Sequence, residues 1–181
     1  VLHGLLPGTY PANYPGSDIG HAALFALHSL QFPLQALNAE KAGFDAFAAC
    51  TLVDPLLREA RDMVRIPVVA AGETCFRAAA AGGRRFGMLI FIDRMAQHYQ
   101  EQVRDLELSD CCVGIEPVGF GFKDVVSSFA DPGRVKDLFA LAARRMIAKG
   151  AQAIIPGEIP MNVLLTTSGM REVDGVPLLD S

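Results

Sequence analysis

Short apolar runs alternate with helix-like segments along this chain, and this alternation restricts its fold more than any other feature. The runs are rich in Val, Ile and Phe and cover residues 1–6, 44–49, 67–71, 86–92, 111–115, 151–155 and 176–179. In the segments between them, apolar residues recur every three or four positions, as on the buried face of a helix. Strands that alternate with helices form parallel sheets covered by helices. The sequence therefore predicts an α/β fold.

Prolines indicate where two of the helices break or begin. The helix-like segment 19–42 contains Pro33, which removes an amide donor and clashes one turn back, so we expect two helices or a kink near Gln31. A further helix is predicted to begin at Pro55, with Asp54 as its N-cap.

One arrangement occurs twice: an apolar strand, a turn, a helix and a strand that contains proline. In the first copy Cys50 lies 17 residues before Pro67, and in the second Glu158 lies 19 residues before Pro177. A duplicated βαβ unit places Cys50 and Glu158 at equivalent strand ends. Ligands bind beyond the carboxyl ends of parallel strands in open sheets. Two such units that face each other would direct both residues into one cleft.

Composition and charge exclude several classes of partner. Hydrophobic residues make up 51% of the 181 residues, and the formal net charge is −4. No basic run is present, so nucleic acid is not a predicted partner. The apolar runs are far shorter than the roughly 18 residues of a membrane span, so no membrane association is predicted. Residues 1–7 lack the pattern of a signal peptide, and we expect a cytoplasmic protein whose four cysteines are thiols.

Cys50 is the strongest candidate for a chemical role. A thiol between a strand end and a helix N-terminus gains thiolate character from the oriented amides there, and a thiolate is a nucleophile or a base. The alternative is a small buried hydrophobic residue, the common fate of a free cysteine. Thr51 is predicted to bind the polar end of a substrate through its hydroxyl, or else to bond local backbone.

Glu158 is an acid in an apolar segment, with Gly157 before it and Ile159 after it. It is predicted to be a general acid or base whose pKa is raised by burial, or else to stabilise the dipole of its helix. Asn162 would orient it or a substrate carboxylate, or cap the helix. Thr74, where a strand ends and a predicted helix over residues 74–81 begins, would bind a substrate carboxylate or cap that helix.

Neither a metal nor an organic cofactor is predicted. His3, His21, His28 and His98 lack the spacing of metal ligands, and no Cys/His cluster supplies four of them. The segment 119–122 lacks the third glycine of a dinucleotide motif, and no phosphate-binding loop motif occurs.

Taken together, several short motifs resemble the Asp/Glu/hydantoin racemase superfamily. They are Asp45-Ala46-Phe47-Ala48-Ala49-Cys50, Asp54-Pro55, Ile66-Pro67-Val68-Val69, Gly72-Glu73, Gly83-Arg84-Arg85-Phe86 and Gly150-Ala151-Gln152-Ala153-Ile154-Ile155. The resemblance implies two similar α/β domains related by pseudo-twofold symmetry, an active site between them and no cofactor. It also implies that one cysteine from each half flanks the α-carbon of the substrate.

Cys50 matches the first cysteine of that pair, whereas Glu158 stands at the second position. A thiol and a carboxyl group can still form a two-base pair at a carbon made acidic by a carbonyl. The resemblance therefore implies a cofactor-independent racemase or epimerase of an amino acid, a related carboxylate or a hydantoin. The alternatives are a single-base isomerase or decarboxylase of the same fold, or a non-catalytic protein that binds a small molecule.

The resemblance also sets the expected domain boundaries. Residues 1–75 form the first domain, residues 76–169 form the second, and residues 170–181 return to the first. Members of the superfamily begin with an additional strand and continue into a further helix, so the chain is expected to be truncated at both ends. A homo-oligomer is compatible with these features.

Overall fold

The computed structural model of the chain describes residues 19–180. The strand predicted over residues 1–6 lies outside the described residues. By its internal contacts the chain divides into two compact units, with the division between Ala71 and Gly72. Each unit contains parallel strands and helices, so the predicted α/β class is confirmed.

The first unit is a βαβ element preceded by two helices. Its elements are α1 (Ala22–Ser29), α2 (Gln31–Lys41), β1 (Phe47–Ala49), α3 (Leu57–Met63) and β2 (Val68–Ala70). Strands β1 and β2 pair in parallel, with Phe47 opposite Val68. Its core contains Ala36, Ala60 and Val68, which come from α2, α3 and β2, so the two helices pack on the strands.

The break predicted near Gln31 is confirmed, because α1 ends at Ser29 and α2 begins at Gln31. Pro33 therefore lies in the first turn of α2, where its missing N–H costs no helical hydrogen bond. The helix ends at Lys41, and Gly43 two residues later has a φ of 79°, a conformation that glycine adopts without strain. The Gly43 N–H donates to the Glu40 carbonyl and the Phe44 N–H to the Ala39 carbonyl, so the chain turns directly towards β1.

The predicted start of α3 is wrong. The helix begins at Leu57 and not at Pro55, and Asp54 is not its N-cap. Asp54 and Leu56 both have positive φ angles, 42° and 53°, so the chain bends twice before it enters the helix. Leu52 is buried within this bend, and its burial favours the turn over a continuous helix.

The second unit contains a three-stranded parallel sheet. Its elements are α4 (Ala71–Ala79), β3 (Phe86–Ile90), α5 (Ala96–Asp105), β4 (Cys112–Pro117), α6 (Phe122–Ser127), α7 (Gly133–Ala148), β5 (Ala153–Pro156), α8 (Ile159–Thr167), β6 (Glu172–Val173) and β7 (Val176–Pro177). The strand order is β4-β3-β5, and all five residues of the central strand β3 are buried. The uninterrupted apolar sequence of β3 is typical of a strand covered on both faces.

The C-terminal residues pair with β5 of the second unit. From the sequence, residues 170–181 were instead predicted to return to the first domain. Leu178 forms a parallel bridge with Ile154, and the Leu179 N–H donates to the Ile154 carbonyl at 2.9 Å. This pairing satisfies backbone groups on the edge of β5 that β3 leaves open. The segment β5–α8–Leu178 thus has the same strand–helix–strand order as β1–α3–β2.

A hairpin that was not predicted from the sequence directly precedes Leu178 and places it beside β5. Strands β6 and β7 are antiparallel, and Asp174 and Gly175 between them both have positive φ. An Asp-Gly pair is a common two-residue hairpin turn. Nε and Nη2 of Arg144 in α7 donate to the Asp174 carboxylate, at 3.0 and 3.2 Å, which connects the turn to the helix.

Candidate active site

The carboxyl ends of β3 and β5 meet around Gly157 in the second unit. The Gly157 N–H donates to the Leu89 carbonyl at 2.7 Å. A Cβ at this position would lie 2.8 Å from the Leu89 carbonyl oxygen and 2.7 Å from Cγ2 of Ile90, distances that no side chain tolerates. Glycine therefore allows the chain leaving β5 to approach the end of β3.

Glu158 follows at once, and its carboxyl group folds back onto the backbone that leaves β3. Oε2 accepts a hydrogen bond from the Phe91 N–H at 3.0 Å, and the Ile92 amide also interacts with the carboxyl group. Oε1 is buried and has no hydrogen-bond partner among residues 19–180. Although part of the Glu158 residue remains exposed, this end of its side chain is enclosed.

Burial, with a smaller contribution from the nearby charge of Asp93, raises the pKa of Glu158 to about 8. The amides of Phe91 and Ile92 act in the opposite direction, because they stabilise the ionised form. Burial prevails, so the carboxyl group is largely protonated at neutral pH. It can donate a proton, and it can accept one when ionised.

The backbone at Glu158 is strained. Its φ of 51° and ψ of 122° place a non-glycine residue in a region that costs about 1–3 kcal/mol and that clusters at functional sites. The adjacent contacts of Gly157 and the Phe91 amide hold the residue in this conformation. The predicted acid at Glu158 is therefore built into the end of the sheet.

Aromatic side chains line the same edge of the sheet. The rings of Phe91 and Phe122 pack with centroids 6.1 Å apart, and Phe120 is buried beside them in sequence. The Gly121 N–H donates to Asp124 Oδ2 at 2.9 Å, which fixes the start of α6 and with it the position of Phe122. These apolar groups exclude water from the strand ends and so contribute to the burial of the region.

Asn162 is buried one turn into α8, and its amide makes structural bonds. Nδ2 donates to the Leu179 carbonyl at 2.9 Å, and Oδ1 accepts from the Thr166 hydroxyl at 3.3 Å. The side chain thus ties the C-terminal segment to the helix that follows Glu158. Its predicted contact with substrate stays a prediction.

Cys50 lies in the first unit, directly after β1, and its position differs from the predicted one in a single respect. Because α3 begins only at Leu57, the thiol does not adjoin a helix N-terminus. The alternative of a buried hydrophobic residue is wrong, because Cys50 is exposed. Of the four cysteines, all of which the structure describes, Cys75 is buried and Cys111 and Cys112 are half-buried. Cys50 is therefore the most accessible thiol.

The two predicted threonines lie near the starts of loops and helices. Thr51 is half-buried after Cys50, and its carbonyl accepts the Asp54 N–H at 3.4 Å. Thr74 is exposed in the first turn of α4, which begins at Ala71, three residues earlier than predicted. The strand β2 passes directly into this helix, so Thr74 does not cap it, and its predicted contact with a substrate carboxylate stays a prediction.

Glu158 and Asn162 both belong to the second unit and are linked through backbone, since the Asn162 N–H donates to the Glu158 carbonyl at 3.4 Å. Cys50 and Thr51 belong to the first unit, and their pairing with Glu158 stays a prediction. Over the part of the chain that the structure describes, no three His, Cys, Asp or Glu residues are arranged to hold a metal ion. No helix within residues 19–180 is sufficiently long and apolar to span a membrane.

The analysis of the sequence missed the backbone amides of Phe91 and Ile92. An amide carries no signature in the side-chain sequence, and these two lie 67 and 66 residues before Glu158. The sequence did contain one signal for the contact: a glycine directly before an acid at the end of an apolar strand.

Comparison with known proteins agrees with this architecture. A sequence profile described as Asp/Glu/Hydantoin racemase matches residues 23–181, which is most of the chain. The chain belongs to the Asp/Glu/hydantoin racemase family. The resemblance predicted from the short motifs is thereby confirmed.

The individual racemases that resemble this family member share 17–27% sequence identity with it. A hydantoin racemase from Rhizobium meliloti is 27% identical over 146 residues, which cover 79% of this chain and 58% of the relative. The solved allantoin racemase from Klebsiella pneumoniae is similar with a TM-score of 0.68 at 18% identity, over 86% of this chain and 62% of that one. For the allantoin racemase from Pseudomonas fluorescens the TM-score is 0.62 at 17% identity, over 83% and 65%. The chain thus spans about three fifths of the length of these racemases.

Replacing Asn162 separates its structural role from substrate binding. Asn162→Ala should lower the free energy of unfolding by about 1–3 kcal/mol, because it removes the hydrogen bond from the buried Asn162 amide to the carbonyl of the half-buried Leu179. The matched control is Asn38→Ala, which removes an exposed amide and should change that free energy by less than about 0.5 kcal/mol. Urea denaturation measures both. Equal, small losses would show that the Asn162 amide is available to a ligand.

The raised pKa of Glu158 predicts a dependence of stability on pH. Between the ordinary pKa of 4.5 and the folded value of about 8, the folded state holds a proton that the unfolded state has released. This contribution to stability is complete below pH 4.5 and is lost as the pH rises through 8, by at most about 1.4 kcal/mol per pH unit.

Urea denaturation from pH 5 to 9 measures this slope. Glu158→Gln should flatten it, because glutamine does not titrate. The exposed Glu172→Gln serves as the control and should retain it. Identical slopes for the wild type and Glu158→Gln would contradict the assignment.

Proposed function

We propose that this chain acts as a cofactor-independent racemase or epimerase, which transfers protons at a carbon activated by an adjacent carbonyl. The substrate is an amino acid, a related carboxylate or a cyclic amide. Membership of the racemase family supports the reaction class. The observation that carries the proposal is the buried carboxyl group of Glu158, which has one oxygen held by backbone and a pKa raised to about 8.

The reaction uses Cys50 and Glu158 on opposite faces of the substrate. The Cys50 thiolate takes the α-proton, an S–H bond forms, and the electron pair of the broken C–H bond is delocalised onto the carbonyl oxygen. The Glu158 carboxyl group then gives its proton to the opposite face of the carbon and becomes a carboxylate. The reverse reaction, or proton exchange with water, restores the starting state.

The other predicted residues hold the polar end of the substrate. The hydroxyls of Thr51 and Thr74 are suited to a carboxylate or an amide carbonyl, since each can donate a hydrogen bond. Asn162 contributes indirectly, because it ties α8, the helix that directly follows Glu158, to the C-terminal segment. The exposed Cys50 is accessible to a small molecule, as a proton-transferring thiol requires.

Proton NMR in D2O tests the proposal. The protein is incubated with single enantiomers of amino acids, hydantoins, allantoin and small dicarboxylates, and loss of the α-proton signal is followed together with optical rotation. We expect exchange with inversion for at least one substrate. Cys50→Ala and Glu158→Gln should each reduce inversion by about 10²–10⁴-fold, the usual contribution of a general acid or base.

Matched controls are Cys111→Ala and Glu172→Gln, which remove a thiol and a carboxyl group elsewhere and should retain full activity. Exchange without inversion in Glu158→Gln would show that Cys50 works alone and that the enzyme is a single-base isomerase. Absence of exchange with every compound, from a protein that circular dichroism shows to be folded, would contradict the proposed reaction.

A further inference from the structure

The two carboxyl oxygens of Glu158 have different environments. Oε2 is fixed 3.0 Å from the Phe91 nitrogen, whereas the buried Oε1 has no partner within the described part of the chain. Resting on the proposed function, we infer that Gly157 and the Phe91 N–H are positioning groups that hold the Glu158 carboxyl group for its proton transfer. Phe91 acts through its backbone, so no side chain at that position carries the role.

The hydrogen bond decides which oxygen carries the proton. An oxygen that accepts an N–H donor uses a lone pair for that bond and serves as the carbonyl oxygen of the neutral acid. The proton therefore resides on Oε1. Because the enclosed Oε1 makes no hydrogen bond among residues 19–180, the bond between Oε2 and the Phe91 N–H orients the carboxyl group.

The anchor also favours the step itself. When Oε1 releases its proton, the electron pair of the O–H bond stays on the carboxyl group and a new C–H bond forms on the substrate. The carboxylate that results accepts the Phe91 N–H as a charge-assisted hydrogen bond, which is stronger than the bond to the neutral acid. The contact thus strengthens as the proton leaves, which stabilises the transition state more than the resting state.

Gly157 makes this geometry attainable. Its N–H bond to the Leu89 carbonyl, at 2.7 Å, holds the exit of β5 against β3, and a Cβ would lie 2.8 Å from that same oxygen. Any side chain at residue 157 must therefore push the exit of β5 away from β3. The Glu158 carboxyl group would then lose the Phe91 N–H and part of its burial.

Amide NMR of the full-length protein tests the anchor without reference to activity. In ¹H–¹⁵N spectra of the wild type, the Phe91 amide should shift with pH, with a midpoint near 8, as the carboxyl group that it contacts ionises. In Glu158→Gln the Phe91 signal should no longer shift, although the glutamine carbonyl still accepts its N–H. A Phe91 shift that persists in Glu158→Gln would overturn the inference.

Gly157→Ala tests the positioning role. We expect the midpoint of the Phe91 shift to fall by about one pH unit or more, because the carboxyl group becomes less buried. The rate of α-proton exchange should fall at least tenfold, with little change in KM. The matched control is Gly133→Ala, whose added methyl group meets Asp131 Oδ1 at 3.4 Å and should alter neither quantity.

Unchanged midpoint and exchange rate in a folded Gly157→Ala would overturn the positioning role. If Gly157→Ala does not fold, the comparison of wild type with Glu158→Gln still decides whether Phe91 anchors the carboxyl group. If no compound undergoes exchange while the Phe91 titration appears as expected, the proposed reaction fails and the anchor stands.

Discussion

Two hydrogen bonds donated by backbone amides at the ends of β3 and β5 determine the properties of the candidate site. The Gly157 N–H donates to the Leu89 carbonyl. The Phe91 N–H donates to the side-chain carboxyl group of Glu158, the residue that follows Gly157. Both follow from the parallel register in which Leu89 lies opposite Pro156. A shift of that register by one residue would remove both bonds and turn the acid to the other face of the sheet.

Two opposing effects act on this acid, and their balance gives it a chemical role. Removal from water disfavours the carboxylate, while the amides of Phe91 and Ile92 favour it. Burial is the larger effect and leaves a neutral acid at physiological pH. The amides then bind the carboxylate when it forms.

Much of the fold was predictable from local patterns, because those patterns report burial and backbone geometry within a short segment. The apolar run of β3, the break before Pro33 and the repeated strand–helix–strand order each agree with the structure. The positive φ angles of Asp54 and Leu56 were not predictable, because they result from burial of the bend around Leu52.

The candidate site, like the fold, was predictable from the sequence only in part. The acid at Glu158 was identified from its apolar surroundings, which are a local property. Its anchor at Phe91 was not, because the two residues are far apart in sequence and the donor is a backbone amide. The bond from Asn162 to the Leu179 carbonyl likewise depends on where the terminal segment pairs. Long-range contacts of this kind have no signature in a single sequence.

The most direct test of this account is a ¹³C NMR titration of the Glu158 carboxyl carbon in protein labelled on glutamate, with the signal assigned by its absence from Glu158→Gln. The account predicts a midpoint of about 8. A midpoint near the ordinary value of 4.5 would show that the carboxyl group is ionised and solvated at neutral pH. That result would contradict the claim that the ends of β3 and β5 hold a buried, proton-carrying acid.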